Sequence, residues 1–448
     1  MTHPLDDLAQ SLLDAARRAG ADAADAKVVQ DRALDIDMRG GRLEHAERAE
    51  GTEIGLRVLI GRRQANVSSS DTRPETVALL AERAVTMARE APEDPHVGLA
   101  DPDQLARDWD LAALELRDPA PEPAPQALQE AAAEAEAAAL AVRGVSQVQS
   151  AGASWHSAST HVALSNGFAG HVARTASSLS CVAIAGEGTG MERDHDSDTR
   201  IFAADLRGAA EIGRLAGERA VERLGARRPK TGAWPVLFDE RISTSLIGHL
   251  LSAANGAAVA RGASWLRGRL GEQVLPRGLS LIEDPLRVRV RGSAPFDAEG
   301  LPTRARAIVE DGILQGWTLD LAAARKLGMA PTGNAMRGLA SPPSPGNWNV
   351  ALTQGERTRE ELLAEMGTGL LVTSMIGSTI NPNTGDYSRG ASGFWVENGQ
   401  IAWPVNECTI AGSLPDFLLR MTPANDARTW LSHVVPSLLV EGLTLAGE

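Results

Sequence analysis

The chain carries nine histidines and two cysteines, so a metal centre or a thiol nucleophile has few residues to draw on. Zinc needs three or four N, S or O donors converging, commonly from a histidine pair at helical spacing as in HExxH. His249 falls in a segment of helical character and is the one metal-ligand candidate. Thr244, Ser245, Ala253 and Ala254, four and five residues away, supply no second donor. A packed or capping histidine is the expectation there, with no metal site in this chain. His156, His161 and His171 fall in strand-like segments. His156 and His161 are an odd number of residues apart and point to opposite faces of a regular strand. His161 and His171 flank an Asn166-Gly167 turn and read as cross-strand surface histidines.

Asp194, Asp196 and Asp198 imitate the opening of a calcium loop, but Thr199 and Asp205 stand where that loop requires Gly and Glu. A solvated acidic loop is expected. Gly186, Gly188 and Gly190 lie between Glu187, Glu192 and that acidic run, which would repel a phosphate, so they read as a flexible loop. No GxSxG elbow occurs. Cys181, among Ser180, Val182 and Ala183, has the setting of a buried structural thiol. Cys408, beside Glu407 and Thr409, has no basic sequence neighbour to lower its pKa. The residues thus nominate no catalytic group. The most unusual stretch is 384–399, TGDYSRGASGFWVENG. Gly385, Gly390 and Gly393 allow close backbone approach. A glycine-spaced strand with one charged pair suits an extended peptide bound by strand addition, and an ordinary sheet edge is the rival reading. Asp386, Tyr387, Ser388 and Arg389 are the candidate substrate- or partner-binding residues.

The elements that would position these groups come from periodicity. Leu5, Leu8, Leu12 and Leu13 recur at helical spacing, with Gly20 placed to end the helix. Residues 25–70 read as short strands with a Gly40-Gly41 turn, and 74–91 as a helix opened by Pro74. Seven prolines in 92–125 suggest a surface connection. The Ala/Glu-rich 126–142 reads as a helix ended by Gly144. Strands resume over 145–185 about the Asn166-Gly167 hairpin, and a helix over 205–224 closes this half. Residues 225–232 look like the main boundary. A strand at 235–238 and a helix at 240–254 open the second half. Hairpins at Asp311-Gly312 and Asn398-Gly399 follow, with helices near 319–327 and 360–366. The expected class is α+β, with an N-terminal domain of hairpins and helices over 1–226 (Pro-rich connection 92–125) and a β-rich C-terminal domain over 233–448.

Composition narrows the function. The chain has 448 residues, with 44 Lys+Arg against 58 Asp+Glu, a formal charge of 44 − 58 = −14. Acidity and an aromatic content of 4% argue against phosphate-backbone binding and base stacking, so no nucleic-acid partner is expected. Two cysteines fit a reducing compartment. The first residues have neither a basic start nor an apolar core, and no run reaches the ~18 apolar residues of a membrane helix. A cytoplasmic protein without a membrane partner is the expectation.

Four stretches carry a resemblance: 385–399 (GDYSRGASGFWVENG), 404–414 (PVNECTIAGSL), 295–314 (PFDAEGLPTRARAIVEDGIL) and 324–334 (ARKLGMAPTGN). Taken in chain order they resemble the PmbA/TldE family, grouped with the TldD-type zinc metalloproteases. The resemblance implies a two-subunit peptidase acting on unfolded or peptide substrates. In it a TldD-like subunit carries zinc on HExxxH plus a downstream Cys, and a TldE-like subunit has the same fold without those ligands. On the matching helix of this chain, Gly248 and Ala253 stand where the two zinc histidines would be and His249 where the Glu would be. No Cys occurs near 431–436.

The resemblance therefore implies the non-catalytic half of a heterodimer. No cofactor is expected in this chain, and zinc would belong to a TldD-like partner. Extended peptides would be the ligands, and pairing of the chain with itself stays open. Two alternatives remain at this stage: a stand-alone peptidase with an unrecognised metal site, and a non-enzymatic regulator of other proteins, in line with the family's older description as a modulator of DNA gyrase.

Overall fold

The computed structural model describes residues 4–447, with side chains for all of them but 378 and 379. The first half is one antiparallel sheet with helices on a single face. Helix α1 (Pro4–Ala19) leads into β1 (Ala23–Arg39), β2 (Arg42–Ile60) and β3 (Arg63–Ser69), then α2 (Pro74–Glu90). Helix α3 (Pro125–Leu140), β4 (Val145–Leu164), β5 (Ala169–Ala185), β6 (Glu192–Arg200) and α4 (Ala209–Glu222) follow. The sheet order is β3-β2-β1-β4-β5-β6. Strands expected to be short are long: β1 and β2 have 17 and 19 residues. Gly40 and Gly41 make the turn between them at φ 61° and 70°, the left-handed pair that a two-residue hairpin needs.

Alternation decides which layer each face meets. Ala24, Ala26 and Val28 of β1 with Ile54, Leu56 and Val58 of β2 pack under α1 and α2. Ala151, Ala153, Cys181 and Ala183 of β4 and β5 pack under α3 and α4. Alanine dominates this second patch, and it lets the helices sit close to the sheet. The opposite face is covered partly by the Pro-rich connection. That segment is an ordered strap: Leu114 and Leu116 bury against Val162, Val172, Phe168 and Phe296.

The second half runs β7 (Gly232–Phe238), α5 (Glu240–Ala253), α6 (Gly256–Arg261), β8 (Leu281–Glu283), β9 (Arg306–Glu310), β10 (Ile313–Leu314) and α7 (Leu321–Leu327). It continues through β11 (Ala335–Met336), β12 (Ser344–Pro345), β13 (Val350–Leu352), α8 (Arg359–Met366), β14 (Gly369–Ile380), β15 (Asp386–Glu397) and β16 (Gln400–Ser413). It ends with α9 (Leu414–Phe417), β17 (Met421–Pro423), β18 (His433–Val434) and β19 (Leu438–Ala446). The main sheet is β16-β15-β14-β7-β19-β17, and β16 also pairs with β19, which closes five of these strands into a ring. Helix α8 seals Leu237, Leu371, Leu439 and Val396 on one side. Helix α5 buries Leu246, Ile247 and Leu250 in the larger core on the other. This is the α+β class expected from the sequence. Among the described residues no helix is long and apolar enough to cross a membrane.

Gly393 shows how tightly β14 and β15 meet. A Cβ there would lie 1.9 Å from the Leu371 carbonyl oxygen. Gly393→Ala must push the two backbones apart, and it should cost about 1–3 kcal/mol, read as a lower denaturation midpoint.

Candidate functional site

Helix α5 is the natural place to look for chemistry, and its own sequence fixes its start. The Asp239 side chain accepts from Arg241 N at 3.1 Å and caps the first turn. Burial works against that carboxylate, but Arg241 and Arg359 hold it below the usual range. One turn from the helix end, His249 meets Tyr387 edge-to-face with centroids 5.8 Å apart, and Tyr387 meets Phe417 the same way at 5.4 Å. The Tyr387 hydroxyl and the Ser245 hydroxyl both point at Met375 Sδ, at 3.6 and 3.9 Å. Burial, then the Arg389 charge, lowers the His249 pKa, so the ring stays neutral at pH 7.

That setting does not suit zinc. The single imidazole on α5 packs against a phenol and feels a guanidinium charge, and Arg389 would repel a cation. Gly248 has open space where a side chain would begin, and Ala253 is a buried methyl. Among the described residues no three His, Cys, Asp or Glu side chains gather as metal ligands. His249 Nε2 is buried without a hydrogen-bond partner, which gives one lone donor and no second ligand.

The four candidate binding residues separate. Asp386 opens β15 and accepts from the Thr384 hydroxyl at 2.6 Å. Tyr387 is 2% exposed, a core side chain and not a contact for a ligand. Arg389 Nε donates to the Gly377 carbonyl at 2.7 Å, which ties β15 to the outer stretch of β14. Ser388 pairs with Thr379 on one side and Ala411 on the other. Strand β15 is thus interior, paired along both edges, and cannot itself accept an added strand. The edge that remains is on β14. Of β14, strand β7 pairs only with Leu370, Leu371 and Val372, because β7 ends at Phe238 and the chain turns into α5. Beyond Val372, among the described residues, that side of β14 has no strand partner.

This open edge borders a cleft of about 1000 Å³ between the two halves. One wall is Thr373, Ser374, Met375 and Ile376 of β14 with Ser392 of β15. The other is Val182 and Ile184 of β5 with Arg193 and His195 of β6. Ile376 stands at the cleft 77% exposed, and Thr373 Oγ1 is buried with no hydrogen-bond partner. Arg223, the residue capping the C-terminal end of α4, crosses the boundary, donating to Ser392 Oγ at 2.7 Å and reaching Asp194 at 3.4 Å. Asp194 also takes Arg241 Nη1 at 3.2 Å, which links β6 to α5.

Three sequence expectations change here. Asp194, Asp196 and Asp198 are not a solvated loop: they lie on β6, buried beneath α4, where Arg207, Arg219 and Arg223 neutralise them. Gly188–Gly190 is a short 3-10 turn. His161 and His171 are cross-strand partners with rings 5.3 Å apart, but His161 is 2% exposed and bonds Asp6 and Ser159. The thiols match their expected character. Burial pushes Cys181 up to about 12 and Cys408 up to about 11, and Cys408 donates to the Ala391 carbonyl at 3.2 Å. Thr373, Ser374, Ser392 and Arg223 went unnoticed in the sequence, since common residues in ordinary strands and helices give no signal.

Comparison with known proteins places this geometry in a lineage. Family models described as PmbA/TldA metallopeptidase domain 1, central domain and C-terminal domain match residues 24–88, 117–224 and 231–447. The Metalloprotease PmbA of Escherichia coli O157:H7 is 36% identical over 429 residues, covering 96% of this chain and 93% of that protein. The Metalloprotease PmbA homolog of Haemophilus influenzae is 36% identical over 439 residues, covering 97% and 94%. A crystal structure from Bacteroides thetaiotaomicron, described as a candidate modulator of DNA gyrase, superposes with a TM-score of 0.90 at 26% identity and covers 100% of both chains.

Proposed function

The chain belongs to the PmbA/TldA metallopeptidase family, and we propose that it serves there as a subunit without a catalytic zinc of its own. In this reading it holds an extended peptide along the open edge of β14, and a TldD-like partner subunit in the cytoplasm supplies the metal and the hydrolysis. The observation that carries the reading is the donor set on α5: one imidazole beside an arginine, where the resemblance requires two histidines and a glutamate. The cleft supports the second part. A strand edge that lacks a partner among the described residues, beside a volume of about 1000 Å³, can take an extended backbone by hydrogen bonding, with alternate side chains facing either wall.

The test is peptide hydrolysis by the chain alone, by a zinc-bearing family partner alone, and by the two together. Hydrolysis only in the mixture is expected. Cleavage by the isolated chain that a chelator abolishes would overturn the reading in favour of a stand-alone peptidase. Full activity of the partner alone would leave this chain a regulator. The binding mode has its own check. Peptides N-methylated at successive amides should lose binding about tenfold at alternate positions, since only every second amide faces the strand edge. Arg389→Ala, which frees the Gly377 carbonyl, should weaken binding while leaving the fold intact.

A further inference from the structure

A second pocket of about 560 Å³ lies farther along β6, at residues 197–201, where loops 289–292 and 428–432 of the second half meet it. Its walls carry Arg200, Arg289, Arg291 and Arg428, with the Asp198 carboxylate and the Trp430 indole. Three of these guanidiniums are already engaged. Arg200 Nε sits 3.0 Å from both oxygens of Asp198, and its charge lies 4.2 Å from the centre of the Trp430 ring. Arg428 donates to Glu240 at 2.6 Å. Arg289 pairs with Glu115 and Asp205 and stacks over Phe202.

Arg291 is different. It is exposed, and among the described residues its side chain has neither an ion pair nor a hydrogen bond. Its charge acts on another cation. Arg174 donates to the Arg291 carbonyl at 3.1 Å and, among the described residues, has no carboxylate partner either. Burial, together with the Arg291 charge, pushes Arg174 down to about 10. Next door, Arg287 spends its guanidinium on the carbonyls of Thr429 and Leu431. In a chain with 58 acidic and 44 basic residues, two adjacent arginines lacking a carboxylate are a local excess of charge that a bound anion would relieve.

We propose that this pocket is an oxyanion site that takes a carboxylate or phosphate group on Arg291, with Arg289 and Arg428 beside it. A planar guanidinium with five donors matches two oxygens of such a group at once. The site does not depend on the peptide cleft: different residues of β6 line the two, and either can fail without the other.

The experiment uses the full chain at constant ionic strength with two probes. One is inorganic phosphate against chloride. The other is a short glutamate-containing peptide against its glutamine counterpart. At least one probe should raise the melting temperature in a saturable way, and Arg291→Ala should weaken that binding at least tenfold. Phosphate alone identifies a free ion as the source, and the glutamate peptide identifies an acidic chain. In chloride, Arg291→Ala should melt above the parent, because it removes the charge that opposes Arg174. Neither probe binding, binding that survives Arg291→Ala, or a variant that melts below the parent in chloride would each overturn the proposal.

Discussion

Replacing Asp25 with Asn should destabilise the chain by about 3–5 kcal/mol, the largest stability loss expected of any isosteric change in it. Asp25 lies on β1, fully buried, and ion-pairs with two guanidiniums: Arg57, its cross-strand partner on β2, and Arg337, from the segment after β11. Burial lowers the pKa of both arginines, which is to say that each cation is held at a cost. Asn keeps the shape and removes the charge, leaving two buried cations beside each other. The effect reaches beyond one strand. On the same face Lys27 Nζ donates to the Arg337 carbonyl at 2.7 Å, and Gly55 lies so close to Leu339 that a Cβ would sit 2.4 Å from its carbonyl oxygen. The cluster therefore pins the second half onto the sheet that forms one wall of the cleft. Urea unfolding followed by tryptophan fluorescence would show an earlier first transition. Adding Arg337→Met should recover much of the loss, because it removes one stranded charge and fills its space with apolar atoms. No recovery would mean that the stabilisation comes from packing and not from the ion pairs.

What could be read from the chain and what could not divide along physical lines. Asn166-Gly167, Asn398-Gly399 and Gly40-Gly41 each specify a turn through their own backbone preferences, so the hairpins they close were found. Helix ends marked by Pro74 and Gly20 follow for the same reason, whereas Gly144 lies beyond the helix it was expected to end, which stops at Leu140 with Ala141 as its cap. The Asp194-Asp196-Asp198 run was misread. Its period of two is a strand signal, but aspartate is uncommon in strands, and the charges that make burial tolerable come from elsewhere. Arg219 on α4 and Arg223, the residue that caps its C-terminal end, are four residues apart and so share a face, a pattern that only gains meaning once α4 is known to lie over β6. The open edge of β14 had no sequence signature at all. It exists because β7 stops at Phe238, in a segment more than a hundred residues away. The expectation about zinc is of another kind: it rests on the resemblance, which sets Gly248, His249 and Ala253 against metal-site positions of one helix and draws on no tertiary information.

Glu299 should make this protein lose stability as pH rises, contrary to the usual behaviour of carboxylates. Asp297, Glu299 and Asp320 are all buried within the second half. Asp297 accepts from the amides of Glu299, Leu301 and Ala335, and Glu299 accepts from Leu321 N at 2.8 Å at the start of α7. Burial, then the neighbouring Asp297, pushes Glu299 up to about 8, with Arg57 only partly offsetting them. The folded chain thus holds a proton that the unfolded chain releases near 4.5. The associated stability is complete below that value and lost as pH rises to about 8. Glu299→Gln keeps an acceptor for Leu321 N and cannot ionise. It should flatten this slope and be more stable than the parent at pH 8.5 by roughly 2–4 kcal/mol, while differing little at pH 5. Urea midpoints at the two pH values decide it. A parent that grows more stable from pH 6 to 8 would show Glu299 already ionised against Arg57. The two clusters also talk to each other through that arginine. In Asp25→Asn, Glu299 is the carboxyl whose charge then acts most on Arg57, and it should give up its proton more readily. The loss caused by Asp25→Asn should accordingly be smaller at pH 8 than at pH 5, and with Glu299→Gln in the same chain that difference should vanish.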